Sequence, residues 1–149
     1  MLIDLMAAFG PGRRLVGFAE LRAVCASQRV TAEPGDMVCL HTGFAAALLE
    51  MGGEPDLQRW VGESGLSVLI ADNYAVEAVP GAVRPGRHPF LPLHEPCLFR
   101  LGIHLGELRH LSELADRLRK AGRNRFLLTA PPLRLPGAVG SPVTPVATV

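Results

Sequence analysis

The sequence predicts an α/β fold built on a mixed, partly parallel sheet with flanking helices. Two continuous apolar runs, residues 37–40 and 66–71, are typical of strands that are buried on both faces. Apolar residues recur at helical spacing before the first run, over residues 18–27. Strands that alternate with helices favour parallel pairing, because a crossover helix returns the chain to the same end of the sheet.

In the first half of the chain, the opening residues 1–8 are apolar around Asp4 and fit either a strand or a short helix. A helix is predicted over 18–27, and a Pro-Gly-Asp turn at 34–36 leads into the first buried strand. The segment 44–51 is predicted to be helical, since two glycines follow it.

The second half follows the same alternation. Asp56 is predicted to cap a short helix, and the second buried strand ends at Asp72 and Asn73. The proline-rich segment 79–92 predicts an irregular loop. Ser112 is predicted to cap the clearest amphipathic helix, and residues 126–129 to form a third core strand before a Pro/Gly-rich tail.

Composition limits the classes of function. The 149 residues fit one domain, 1–149, and 48% of them are hydrophobic while 19% are charged. A net charge of +1 without a basic patch argues against nucleic acid as a partner, and no apolar run is long enough for a membrane span. Three widely spaced cysteines predict reduced thiols in a cytoplasmic protein.

Two residues have the chemistry of metal ligands. His94 follows the proline-rich loop, and Glu107 lies thirteen residues later. An imidazole and a carboxylate suit a borderline cation such as zinc or manganese. The spacing alone favours a surface histidine and a surface glutamate over metal ligands, because no compact metal-binding motif joins them.

Three further residues are candidates for a substrate pocket: Asp72, Asn73 and Ser141. Asp72 and Asn73 end a buried strand, where active sites gather in α/β folds, although position alone favours a turn or cap role for Asp72. Ser141 lies in a Gly-Ser-Pro segment, and the chain has no GxSxG elbow to support a serine hydrolase. His41 ends the first strand and fits either a pocket or a core position.

The order of several segments resembles the cyclase family of metal-dependent hydrolases, which includes kynurenine formamidase and isatin hydrolase. The segments are 34–43 (PGDMVCLHTG), 71–73 (ADN), 92–94 (PLH), 101–103 (LGI) with Glu107, 127–135 (LLTAPPLRL) and 140–143 (GSPV). The last two are the most specific, and the likeness covers nearly the whole chain.

The resemblance implies a divalent metal, zinc or manganese, with His94 and Glu107 among its ligands. It implies hydrolysis of a small amide, formamide, lactam or lactone, as in the arylformamidases. Asp72, Asn73 and Ser141 are then expected in the substrate pocket, and a homodimer or larger homo-oligomer is expected.

One departure from the family pattern is large. The family's cluster of histidine, glycine, threonine, histidine, aspartate and proline, which supplies the other ligands, does not occur in this sequence, and its base histidine is also missing. We therefore expect a single cyclase-like domain that lacks its N-terminal segment, with its catalytic residues unknown. Two hypotheses follow: a metal hydrolase that is inactive or impaired as an isolated chain, or a non-catalytic remnant that serves as an oligomerisation or binding module.

Overall fold

The chain alternates short strands and short helices. The structure is a computed structural model, which describes residues 1–12, 14–43, 49–51, 55–76 and 91–149, with no side-chain description for 49–51. Its elements in chain order are β1 Leu2–Asp4, α1 Leu5–Phe9, β2 Arg14–Val16, α2 Phe18–Gln28, β3 Met37–His41, β4 Leu49–Met51, α3 Pro55–Glu63, β5 Val68–Ala71, a π-helix Glu95–Leu101, β6 His104–Gly106, α4 Ser112–Lys120, β7 Leu127–Thr129 and β8 Val146–Thr148.

The main sheet has four strands in the order β1–β3–β5–β6, and all of its pairs are parallel. The register places Cys39 between Leu2 and Ile70, and Ile70 beside Gly106. A separate antiparallel pair, β7–β8, makes the sheet content mixed. The predicted α/β fold with a mixed, partly parallel sheet and flanking helices is thus confirmed.

Both faces of the main sheet are covered, which explains why its strands are continuous apolar runs. On one face, Ile3, Leu40 and Leu69 pack in a core cluster with residues of α2 and α3. On the other face, side chains of the same strands pack with α4 and the segment after it. The core therefore lies in two layers, one on each side of the parallel strands.

Two of the predicted elements differ from the structure. Part of the predicted helix 44–51 lies outside the described residues, and its end, Leu49–Met51, is strand β4, because its backbone pairs in parallel with β2. The predicted core strand 126–129 is instead the exposed β7, in which Leu127 is 65% exposed. Its partner is β8 in the tail, not a strand of the main sheet. The predicted loop 79–92 falls almost wholly outside the described residues.

No helix in the described ranges has the length and apolar character that crossing a membrane requires.

Candidate functional site

The carboxyl ends of the parallel strands bring polar residues together along one edge of the sheet. Asp4 ends β1 and lies beside His41, which ends β3. Asp72 follows β5, and Glu107 follows β6. Ligands and catalytic groups gather at this edge in open α/β sheets, because the loops that leave it can vary without disturbing the core. This edge is the candidate functional site.

His94 and Glu107 meet at one end of this edge. His94 immediately precedes the π-helix, and its Nε2 atom lies 3.1 Å from Oε1 of Glu107. The two side chains are 23% and 28% exposed, so they are partly shielded but open to solvent. The fold therefore brings together two residues that the resemblance selected as metal ligands.

A neighbouring imidazole nitrogen and carboxylate oxygen are both donor atoms that zinc or manganese can bind. A protein site for either metal generally takes three or more protein donors. Among the described residues, no group of three histidine, cysteine, aspartate or glutamate side chains is arranged to hold a metal. The two donors fit a divalent cation in kind, and in number they are fewer than such a site generally takes.

Asp72 holds the turn that follows β3. Its carboxylate accepts hydrogen bonds from the backbone N–H of Thr42 and of Gly43, each at 2.8 Å, and from the Thr42 hydroxyl. Both of its oxygens are therefore used by the protein itself. This contact pattern supports the turn role that the sequence left open for Asp72, and a role in a substrate pocket stays a prediction.

Asn73 is buried, and its backbone carbonyl accepts a hydrogen bond from the Leu108 N–H at 3.2 Å. The neighbouring carbonyl of Ala71 accepts one from the Arg109 N–H at 3.3 Å. These two hydrogen bonds tie the backbone directly after Glu107 to the end of β5. The end of β5 therefore helps to position the carboxylate that meets His94.

Ser141 lies in the tail, where its hydroxyl contacts the carbonyl oxygens of Leu133 at 3.2 Å and Pro142 at 3.0 Å. It lines a cavity of about 570 Å³ on the α4 side of the main sheet. Asp72 and Asn73 are not among the residues that line this cavity. The structure does not gather the three predicted pocket residues around that space.

The same edge of the sheet contains a buried hydrogen-bonded network that was not predicted from the sequence. The imidazole of His41 lies with Nδ1 2.8 Å from Oδ1 of Asp4 and Nε2 3.3 Å from the Ser112 hydroxyl. A second carboxylate oxygen, Oδ2 of Asp72, is 4.0 Å from Nε2. His41 is 4% exposed, so this imidazole belongs to the interior of the site.

Asp4 is the ionic centre of this network. Its Oδ2 accepts a hydrogen bond from Nη2 of Arg119 at 2.9 Å, and its Oδ1 accepts one from the Ala7 N–H at 2.9 Å. Burial alone would raise the pKa of the Asp4 carboxyl, but the hydrogen bonds from His41, Arg119 and Ala7 outweigh it and lower the pKa to about 2. Asp4 is therefore ionised at neutral pH.

The predicted cap role of Ser112 is wrong, and the reason lies in this network. Ser112 is the first residue of α4, Leu111 occupies the cap position, and no side chain caps the helix there. The Ser112 hydroxyl contacts His41 instead. The sequence carried one usable signal: Asp4 and His41 each directly follow three or more apolar residues, and parallel pairing of those segments places them side by side.

No family model matches the sequence, and no curated protein matches it. Among solved structures, a crystal structure of a novel cyclase matches with a TM-score of 0.82 and 31% identity, over 99% of this chain and 52% of that chain. A potential metal-dependent hydrolase with cyclase activity matches with a TM-score of 0.67 and 18% identity, over 98% of this chain and 62% of that chain.

A predicted metal-dependent hydrolase from Bacillus stearothermophilus matches with a TM-score of 0.68 and 18% identity, over 98% of this chain and 60% of that chain. At 18% identity, the two hydrolases support the fold alone. This chain spans 52% to 62% of the length of the three matched chains.

Proposed function

We propose that this chain, which has the fold of cyclase-family proteins, is the part of a metal-dependent hydrolase that carries two of its metal ligands, His94 and Glu107. The observation that supports this most directly is the 3.1 Å contact between the imidazole and the carboxylate, which are thirteen residues apart in the chain. The substrate class is a small amide, formamide, lactam or lactone, as for an arylformamidase. The natural metal is zinc or manganese.

A divalent cation, when bound, supplies Lewis acidity that polarises a carbonyl group and lowers the pKa of water. The chain's own residues place the donors. His94 immediately precedes the π-helix, and the carbonyls of Asn73 and Ala71 accept the backbone hydrogen bonds that hold the segment directly after Glu107. Asp72 shapes the neighbouring turn through Thr42 and Gly43. Ser141 would contact substrate only if the bound molecule reaches the tail.

The three cysteines are free thiols in the described structure, which fits our proposal of a reducing, cytoplasmic location. A homodimer or larger homo-oligomer is proposed as the working form, since large apolar side chains of the tail are exposed.

Metal binding tests the ligand assignment. We expect the purified chain to bind zinc or manganese in a competition titration with a chromophoric chelator. Both His94→Ala and Glu107→Ala should weaken binding by at least about tenfold, because each removes one donor. His110→Ala and Glu113→Ala are matched controls, since both side chains are exposed and neither joins the His94–Glu107 pair.

Equal affinities in the ligand variants and the controls would refute this assignment. Hydrolysis of an aryl formamide by the metal-loaded chain, lost in His94→Ala, would support the enzyme. Metal binding without hydrolysis of formamide, amide or lactone substrates would favour the alternative, a non-catalytic oligomerisation or binding module.

A further inference from the structure

The 570 Å³ cavity lies between the main sheet, α4 and the tail. Cys39, Ile70 and Gly106 contribute from one row of neighbouring strands, Leu114 from α4, and Leu133 and Val143 from the tail. Its volume is within the range of small-molecule sites, which extends over roughly 300–1,000 Å³. Most of its lining is apolar, so it suits a ligand with a carbon skeleton.

The charge of the lining is one-sided. Among the described residues, the ionisable ones that line it are Cys39, His104, Arg109 and His110, and none is an aspartate or glutamate. Burial raises the pKa of the Cys39 thiol to about 11, although the terminal ammonium and Arg109 oppose that shift. The thiol is therefore uncharged at neutral pH, and the fixed charge on the cavity wall is the positive charge of Arg109.

Arg109 has few partners for a half-buried cation. Its Nη1 donates to the Val143 carbonyl oxygen at 3.3 Å, and no ion pair joins it to a carboxylate among the described residues. A guanidinium carries five N–H donors, and the Val143 carbonyl accounts for one of them within the described part of the chain. A partly desolvated positive charge beside apolar surface is stabilised by an anion that accepts from it.

We propose that this cavity binds a small apolar carboxylate, whose carbon skeleton packs on Cys39 and Ile70 and whose carboxylate pairs with Arg109. His94 and Glu107 do not line this cavity, so the site is additional to the proposed metal centre. Its occupation requires no metal.

Binding of 2-naphthoate and of its neutral isostere 2-naphthamide to the full chain, in buffer with EDTA, tests the proposal by calorimetry. We expect naphthoate to bind at least about tenfold more tightly than naphthamide, because a charge-assisted hydrogen bond forms only with the carboxylate. Arg109→Gln should remove that preference while leaving naphthamide binding nearly unchanged. Arg109→Lys, which keeps the charge, should retain part of it.

Arg134→Gln is the matched control, because Arg134 is an exposed tail arginine outside the cavity lining. It should keep the full preference. Equal binding of the two ligands to the unaltered chain, no binding of either, or a preference that survives in Arg109→Gln would overturn the proposal. Naphthoate binding that falls as self-association rises would assign the cavity to a second copy of the chain and also overturn it. Loss of metal binding in His94→Ala leaves these outcomes unaffected.

Discussion

At the scale of single residues, the candidate site divides into a pair that the sequence revealed and a network that it did not. His94 and Glu107 were found through the order of the family-like segments, because two residues thirteen positions apart form no local motif. The contacts that join Asp4, His41 and Ser112 were not predicted, since they connect residues 37 and 71 positions apart. Such contacts depend on strand pairing, which composition and periodicity do not specify.

Replacing Asp4 tests the importance of the buried network. Asp4→Asn should destabilise the fold by about 2 kcal/mol, because it leaves His41 and Arg119 without their shared carboxylate. Urea unfolding followed by circular dichroism measures the loss. Asp116→Asn removes the other, exposed partner of Arg119 and should cost less than about 0.5 kcal/mol. Similar losses in the two variants would contradict this role for Asp4.

The low pKa of Asp4 predicts a pH dependence. The folded state holds the proton less tightly than the unfolded chain, where the pKa is near 3.8, so the ionised form stabilises the fold. This contribution is complete above about pH 5 and declines as the pH falls through 4 toward 2. The stability difference between the unaltered chain and Asp4→Asn should therefore shrink over that range in urea titrations. If the stability difference between the two proteins stayed constant from pH 5 to pH 2, the low pKa of Asp4 would not be the source of the pH dependence.

At the scale of elements, the sequence predicted where the buried strands lie but not which strands pair with each other. The strand predictions at β3 and β5 are confirmed, because a strand that is covered on both faces has a continuous run of apolar residues. The segment that contains β7 has the same signal, yet it pairs with β8 and stays exposed. An apolar run indicates a strand, but it carries no information about which strand lies beside it.

The packing of β6 against β5 gives a test at this scale. A Cβ at Gly106 would lie 3.0 Å from Cγ1 of Ile70, so Gly106→Ala must push that side chain aside. We expect a loss of about 1 kcal/mol in the free energy of unfolding. Gly140→Ala is the control, since nothing lies within 4 Å of its added Cβ. A Gly106→Ala protein as stable as the control would show that Ile70 yields without cost.

At the scale of the whole molecule, the exposed apolar surface is uneven. β7 and the tail together carry six of the large exposed hydrophobic side chains: Leu127, Leu133, Leu135, Val139, Val146 and Val149. Arg134 is the one charged residue in the stretch 127–149. Two-stranded sheets are marginal by themselves, and unpaired strand edges readily take a partner. These features favour self-association through the tail.

Sedimentation velocity tests this association. We expect the sedimentation coefficient of the chain to rise with concentration, and the double variant Leu127→Glu/Val146→Glu to remain monomeric over the same range, because the added charges oppose burial of the β7–β8 pair. Phe99→Glu is the control, since Phe99 is an exposed side chain of the π-helix outside the tail. A concentration-independent monomer in the unaltered chain would exclude the homo-oligomer.

The strand order β1–β3–β5–β6 follows the order of the chain, and this has a consequence for synthesis on the ribosome. Each new strand can dock on an edge that already exists, so the sheet can grow in one direction as the nascent polypeptide emerges. Asp4 meets its guanidinium partner late, because Arg119 is made 115 residues after it. The ion pair that joins the first strand to α4 can therefore form only after all four strands of the sheet have been made.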